Sequence, residues 1–189
     1  MPTPQQVDSL LKIRSQLDFS AIAKGFGSDM AARTLAAHGV KNFMIEIGGE
    51  VVAQGVNAQG KPWRIGVTKP NEEDSLEVNG ELQAVLSISK GAIATSGNNR
   101  RFYYKGGRKY AHTIDPRTGY PVQHELLSAT VVADCCAVAD AYATSFMVLG
   151  LEKAKQVLAR HPELNAYLIY TDPQGQLAVW HSEGLQLEN

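Results

Sequence analysis

A carboxylate and a hydroxyl lie four residues apart in the stretch Ala139-Asp140-Ala141-Tyr142-Ala143-Thr144. The surrounding residues are mostly apolar and predict a helix, on which positions i and i+4 share one face. Two interpretations follow: Asp140 and Thr144 hold a hard cation such as Mg²⁺, or the helix is amphipathic with one solvated aspartate. The pair alone leaves both open, because a single Asp-x-x-x-Thr is a weak signal.

The composition is that of an ordinary globular protein. The chain has 189 residues, of which 44% are hydrophobic and 20% are charged, and its formal net charge is −1. This length predicts a single domain over residues 1–189. A near-neutral charge argues against a nucleic-acid partner, since nucleic-acid-binding proteins usually carry a basic excess. The sequence carries no signal for an oligomeric state.

The cellular compartment stays open at this point. Cys135 and Cys136 are adjacent, and adjacent residues cannot easily reach relaxed disulfide geometry. No apolar run has transmembrane length, and residues 1–4 lack the charged and apolar regions of a signal peptide. We therefore expect either a cytoplasmic protein or one whose signal has been removed.

Hydrophobic periodicity and turn residues predict an α/β (α+β) domain with a largely antiparallel sheet and a few packed helices. Helices are expected from Thr3, after Gly25 with an end at Gly39, around Asp140 with an end at Gly150, and over 152–161. Strands are expected over 42–47, 51–53, 63–68, 83–89, 92–96, 128–133, 166–170 and 176–180. Residues 102–104 and 109–112 flank a Gly-Gly turn and predict a hairpin.

Three other stretches contain residues that suit a phosphorylated ligand. Asp18 and Lys24 flank a small-residue turn that opens a helix, and a helix N-terminus offers free N–H groups to a phosphate. Gly48 and Gly49 let the backbone approach a ligand closely, although two glycines equally form an ordinary turn. Residues 94–101 combine hydroxyl groups, glycine and cations, which suits an anion cradle or a polar loop.

A histidine and an aspartate precede a turn in the stretch His112-Thr113-Ile114-Asp115-Pro116-Arg117-Thr118-Gly119-Tyr120-Pro121. An imidazole that a carboxylate orients can act as a general base. A lone histidine is more often structural, so His112 is a candidate base and Asp115 its candidate partner.

Together these stretches resemble the FAD:protein FMN transferase family, ApbE, over residues 17–151. Five ordered motifs carry the resemblance: residues 18–26, Ile47-Gly48-Gly49-Glu50, Ala94-Thr95-Ser96-Gly97, residues 112–121, and Ala139-Asp140-Ala141 with Thr144. The resemblance implies a domain related to the tunnelling fold. It also implies Mg²⁺-dependent transfer of FMN from the substrate FAD to a threonine of an acceptor protein, with release of AMP. Hydrolysis of FAD to FMN and AMP is the alternative reaction.

The resemblance also implies roles for individual residues. The metal ligands would be Asp140, Thr144 and the carbonyl oxygen of Ala21. The contacts with FAD would come from Asp18, Lys24, Ile114, Gly48 and Gly49. His112 is the candidate base for the acceptor threonine, and Asp115 would either orient His112 or bind a second metal ion.

The chain departs from the family pattern in three ways. The part that holds the adenosine end of FAD has no counterpart before Thr3, and the chain is short near residues 12–17, where relatives carry more residues. Asn99 stands where the family commonly has an aromatic residue. We therefore expect a domain truncated at its N-terminus, which is either an active enzyme or a non-catalytic flavin-binding remnant. The resemblance implies the periplasmic side of a bacterial inner membrane, and a cytoplasmic location stays open.

Overall fold

The computed structural model describes residues 18–70, 81–97, 102–105, 108–111 and 113–188. Its helices are α1 (Ser20–Ala37), α2 (Cys136–Leu149) and α3 (Leu151–Leu158). Its strands are β1 (Phe43–Ile47), β2 (Glu50–Gln54), β3 (Trp63–Thr68), β4 (Leu82–Ile88), β5 (Lys90–Gly97), β6 (Phe102–Lys105), β7 (Arg108–Ala111), β8 (Ile114–Asp115), β9 (Tyr120–Pro121), β10 (Leu126–Ala133), β11 (Asn165–Thr171) and β12 (Leu177–His181). No helix in these ranges is long and apolar enough to cross a membrane. The helix predicted from Thr3 lies outside them.

Six strands form one sheet in the order β1-β2-β5-β10-β11-β12. Every neighbouring pair in this sheet is antiparallel. Three antiparallel ribbons, β3–β4, β6–β7 and β8–β9, accompany the sheet. The prediction of a largely antiparallel sheet with a few packed helices is confirmed. The ribbon β8–β9 was not predicted, since its strands have only two residues each.

Alternate residues of the central strands point to opposite faces of the sheet and build two separate cores. On one face Ala94 and Leu168 belong to the same buried cluster as Phe146 of α2. On the other face Ile93 of β5 packs in a cluster with Leu86 of the β3–β4 ribbon. Helix α2 contacts both α1 and the central strands β5 and β10, while α1 also contacts β1 and β2. The predicted metal-binding helix is therefore a core element.

Helix α1 begins earlier than the sequence indicated. The segment between Asp18 and Lys24 was expected to be a turn, but the helix runs through it from Ser20. Asp18 Oδ1 accepts the backbone N–H of Ser20 at 2.7 Å, just before the first helical turn. The small residues that suggested a turn include alanines, which are strong helix formers, and this is why the prediction was wrong. The predicted end is confirmed, because Gly39 follows the helix with a φ of 80°.

Helices α1 and α2 approach each other most closely at a glycine. A Cβ atom on Gly25 would lie 2.7 Å from the carbonyl carbon of Cys136 and 2.9 Å from the Cα of Ala137. Both are backbone atoms, which cannot move aside as a flexible side chain would. Gly25 therefore sets the separation of the two helices.

We expect Gly25→Ala to lower the free energy of unfolding by about 1–3 kcal/mol, because the clash with the α2 backbone outweighs the better helix propensity of alanine. Gly27→Ala is the matched control on the same helix. Its Cβ would lie 3.4 Å from the Cδ1 of the Ile47 side chain, so the substitution should be neutral or stabilise by up to about 1 kcal/mol. Urea denaturation of both variants measures the difference, and equal stabilities would contradict the close crossing.

Candidate functional site

Asp140 lies on the buried face of α2, against the first turns of α1. The residue is only 1% exposed. Its Oδ2 accepts the backbone N–H of Gly25 at 3.0 Å, and its Oδ1 lies 4.0 Å from the Nζ of Lys24. A buried carboxylate needs such partners, because its charge is costly to remove from water. The interpretation of Asp140 as a solvated aspartate of an amphipathic helix is therefore wrong.

Thr144 lies one turn further along α2 and faces β5. Its Oγ1 is 3.0 Å from the Oγ of Ser96, and either hydroxyl can donate the hydrogen bond. Ser96 comes from the Ala94–Gly97 motif that the sequence singled out as an anion cradle or a polar loop. The structure places this motif on β5, which pairs with β10, and not in a loop. Asp140 and Thr144 thus connect α2 to α1 and to the sheet, respectively.

Glu50 is a member of the site that sequence reasoning did not select. It begins β2, is 1% exposed, and forms an ion pair with the half-exposed Lys24 through its Oε1. Its buried Oε2 has no hydrogen-bond partner within the described part of the chain. Burial raises the pKa of the Glu50 carboxyl above its usual value of 4.5, and the contact with Lys24 offsets part of this rise. The signal available in the sequence was an acidic residue directly after two glycines.

Gly48 and Gly49 form the two-residue turn between β1 and β2. Their φ angles are 62° and 100°, in the region that glycine adopts without strain. A Cβ on Gly48 would lie 3.0 Å from the Cδ of Lys24, whereas nothing lies within 4 Å of a Cβ on Gly49. Gly48 therefore makes room for the stem of Lys24, and the space beside Gly49 is open.

The ribbon β8–β9 contains Ile114 and Asp115. Ile114 is 48% exposed. The Asp115 carboxylate accepts hydrogen bonds from the Arg117 side chain at 2.9 and 2.7 Å, and this contact lowers the pKa of Asp115 to about 2. Asp115 is therefore an ionised acceptor that already has a cationic partner. His112 lies outside the described residues, so its predicted pairing with Asp115 stays a prediction.

The atoms around α1 and α2 that could bind a metal ion are mostly oxygens. No group of three His, Cys, Asp or Glu side chains suited to a metal ion occurs within the described ranges. The expected set of a carboxylate, a hydroxyl and a backbone carbonyl is of a different kind, and such oxygens suit Mg²⁺. The N–H of Gly25, one turn after Ala21 on α1, donates to Asp140 Oδ2 at 3.0 Å and so joins this turn of α1 to α2. The chemistry of the expected oxygen set, the Ala21 carbonyl with Asp140 and Thr144, therefore suits a hard cation.

We expect the stability of the wild-type chain to fall relative to that of Glu50→Gln as the pH rises above about 4.5. The folded state raises the pKa of Glu50, so it favours the protonated acid. The associated stabilisation is present at low pH and is lost as the pH rises through the raised pKa. Urea denaturation in EDTA at several pH values measures this difference. Glu46→Gln, at an exposed glutamate of β1, controls for the loss of a carboxylate. A wild type that gains stability relative to Glu50→Gln as the pH rises would contradict the raised pKa.

Similarity to proteins of known sequence extends over most of the chain. A model of the ApbE family matches residues 3–168. The FAD:protein FMN transferase of Haemophilus influenzae is 42% identical over 159 residues, which cover 84% of this chain and 44% of that protein. The FAD:protein FMN transferase of Klebsiella pneumoniae is 37% identical over 166 residues, which cover 88% of this chain and 45% of that protein. The chain thus spans less than half the length of these curated relatives.

Solved structures show the same fold. The flavin transferase ApbE from Vibrio cholerae matches with a TM-score of 0.76 and 31% identity, over 97% of this chain and 62% of that one. The flavinyl transferase ApbE of Pseudomonas stutzeri, in its apo form, matches with a TM-score of 0.75 and 28% identity, over 97% of this chain and 60% of that one. Fold, motifs and family model agree, and the chain belongs to the ApbE family.

Proposed function

We propose that this chain transfers FMN from FAD to a threonine of an acceptor protein in a Mg²⁺-dependent reaction that releases AMP. The observation that carries the proposal is the buried Asp140, which faces the N-terminal turns of α1 beside Lys24. The names of the relatives, FAD:protein FMN transferases, support the choice of FAD and of a protein acceptor. The activity is proposed for this chain because the match covers less than half of each relative.

Asp140, Thr144 and the carbonyl oxygen of Ala21 would hold the metal ion. The two carboxylates of Asp140 and Glu50 outnumber the single ammonium of Lys24, so the local charge is negative and attracts a cation. Bound there, Mg²⁺ would supply neutralisation of the charge on the pyrophosphate of FAD. This charge balance supports a site for a cation.

Lys24 is the residue suited to the phosphates. Its side chain is 47% exposed, so the ammonium can reach a ligand while its stem stays packed over Gly48. Glu50 holds it in place by an ion pair, which preorganises the positive charge before the ligand arrives. Family resemblance adds Asp18, Gly48, Gly49 and Ile114 as further contacts of FAD, and the open space beside Gly49 supports a close approach.

His112 is the proposed general base. In the transfer, the hydroxyl oxygen of the acceptor threonine forms a bond with the phosphorus of the FMN half. The bond between that phosphorus and the oxygen bridging to AMP breaks, and AMP leaves with this oxygen. The proton of the hydroxyl passes to His112, since an unassisted threonine hydroxyl is too weak an acid to attack. Asp115 either orients His112 or binds a second metal ion.

We also propose a location on the periplasmic side of a bacterial inner membrane, on family resemblance alone.

We expect Asp140→Asn to reduce transfer of FMN by about 100-fold or more, because it removes the charged metal ligand but keeps the shape of the side chain. Asp172→Asn is the matched control. Asp172 accepts two backbone N–H groups in the β11–β12 turn, beside the edge strand at the opposite end of the sheet from β1. The assay follows covalent flavin on a threonine-containing acceptor by mass spectrometry, with FAD and Mg²⁺ supplied.

Two results would contradict the transferase assignment, and a third would contradict the assignment of Asp140 as a metal ligand. Release of AMP without an acceptor, abolished in Asp140→Asn, would favour the FAD pyrophosphatase. Binding of FAD with neither reaction would favour a non-catalytic remnant. Equal transfer by the wild type and Asp140→Asn would contradict the proposed metal ligand.

A further inference from the structure

Asp29 of α1 binds the first turn of α2 through three hydrogen bonds. Its Oδ1 accepts the backbone N–H of Cys136 at 2.8 Å. Its Oδ2 accepts the backbone N–H of Ala137 and the thiol of Cys135, each at 2.9 Å. The N-terminal amides of a helix have no partner within the helix, and Cys135 at the N-cap makes no side-chain capping bond. Asp29 therefore caps α2 from another helix.

This cap and the bond to Asp140 form a pair of opposed attachments between the two helices. Gly25 and Asp29 lie four residues apart on α1, and their partners Cys136 and Asp140 lie four residues apart on α2. In one attachment a carboxylate on α1 accepts amides of α2, and in the other a carboxylate on α2 accepts an amide of α1. Two attachments one turn apart fix both the axial position of α2 and its rotation.

The rotation of α2 matters because both side-chain metal ligands lie on it. Successive residues of a helix are about 100° apart, so a small rotation moves Asp140 and Thr144 relative to Ala21 on α1. Mg²⁺ requires near-octahedral geometry with ligands at about 2.1 Å, and it binds poorly where oxygens are displaced. A residue that sets this rotation therefore affects the affinity for the metal ion without contacting the ion.

We propose that Asp29 is a positioning residue that holds Asp140 and Thr144 in register with Ala21 for cation binding. This rests on the proposed function, in which these three residues are the metal ligands. The cysteines at the junction serve as donors and not as reactive thiols. Burial and the neighbouring Asp29 raise the pKa of both thiols, that of Cys136 to about 12.

A rival explanation is that Asp29 attracts the cation only through its negative charge. Two substitutions separate the alternatives. Asp29→Asn removes the charge but keeps one oxygen that accepts an N–H, whereas Asp29→Ala removes the charge and both acceptors. A pure charge effect would weaken cation binding equally in both variants. A positioning role requires Asp29→Ala to bind the cation clearly more weakly than Asp29→Asn does.

The experiment titrates the full chain with Mn²⁺ and measures the free ion by electron paramagnetic resonance, without FAD, at a temperature where circular dichroism shows each variant folded. Mn²⁺ takes the same oxygen ligands as Mg²⁺. We expect the dissociation constant to rise about 10-fold or more for Asp29→Ala and about 2- to 3-fold for Asp29→Asn. Cys135→Ala, which removes one thiol donor and leaves both amides capped, should bind as the wild type does. Asp29→Ser replaces the alanine variant if that one does not fold.

The outcomes separate this inference from the proposed function. Saturable binding by the wild type that is lost in Asp140→Asn supports the metal site, and a graded loss from asparagine to alanine at position 29 then supports positioning. Equal loss in the two variants, or none in a folded Asp29→Ala or Asp29→Ser, overturns the inference alone. No saturable binding by the wild type overturns the proposed metal site and this inference with it.

Discussion

The close crossing of α1 and α2 is the constraint on which the rest of the site depends. A glycine at position 25 lets the backbones approach until the N–H of Gly25 reaches the carboxylate of Asp140 at 3.0 Å. Any side chain there would force the helices apart and leave Asp140 buried without this donor. The same approach brings Asp29 to the free amides of α2. Steric exclusion and hydrogen bonding thus specify one arrangement of the two helices.

Burial of charge follows from this arrangement. Asp140 and Glu50 are each 1% exposed, and the ammonium of Lys24 lies beside both. Buried carboxylates without enough compensating charge are unfavourable, and a second cation would relieve the imbalance. A metal ion beside Lys24 would supply this charge, and such a pair of cations is what the proposed chemistry on FAD requires.

The sheet supports the site from beneath α2. Residues of β5 and β11 alternate between two buried clusters, one beneath α2 and one beneath the β3–β4 ribbon. Because both faces of the central strands are packed, α2 rests on a surface that cannot shift without opening a core. Ser96 extends this support to the site by its hydrogen bond with Thr144. Such support would help the proposed metal ligands to keep their geometry.

The sequence by itself determined most of the local structure. The period of apolar residues placed Asp140 and Thr144 on one face of a helix, alternation and turn residues located the strands of the sheet, and the ordered motifs indicated the family. It misjudged the start of α1, since small residues between Asp18 and Lys24 suit a turn and a helix alike.

Only the tertiary structure decided which distant residues complete the site. Three hydrogen-bonded pairs are far apart in the sequence. Glu50 and Lys24 are separated by 26 positions, Ser96 and Thr144 by 48, and Asp29 and Cys136 by 107. No local period encodes such pairs, because they arise where two elements pack and a buried polar atom must find a partner. Local periodicity thus determined which face of each helix and strand is buried. Packing, together with the need of buried polar atoms for hydrogen-bond partners, decided which residues those faces contact.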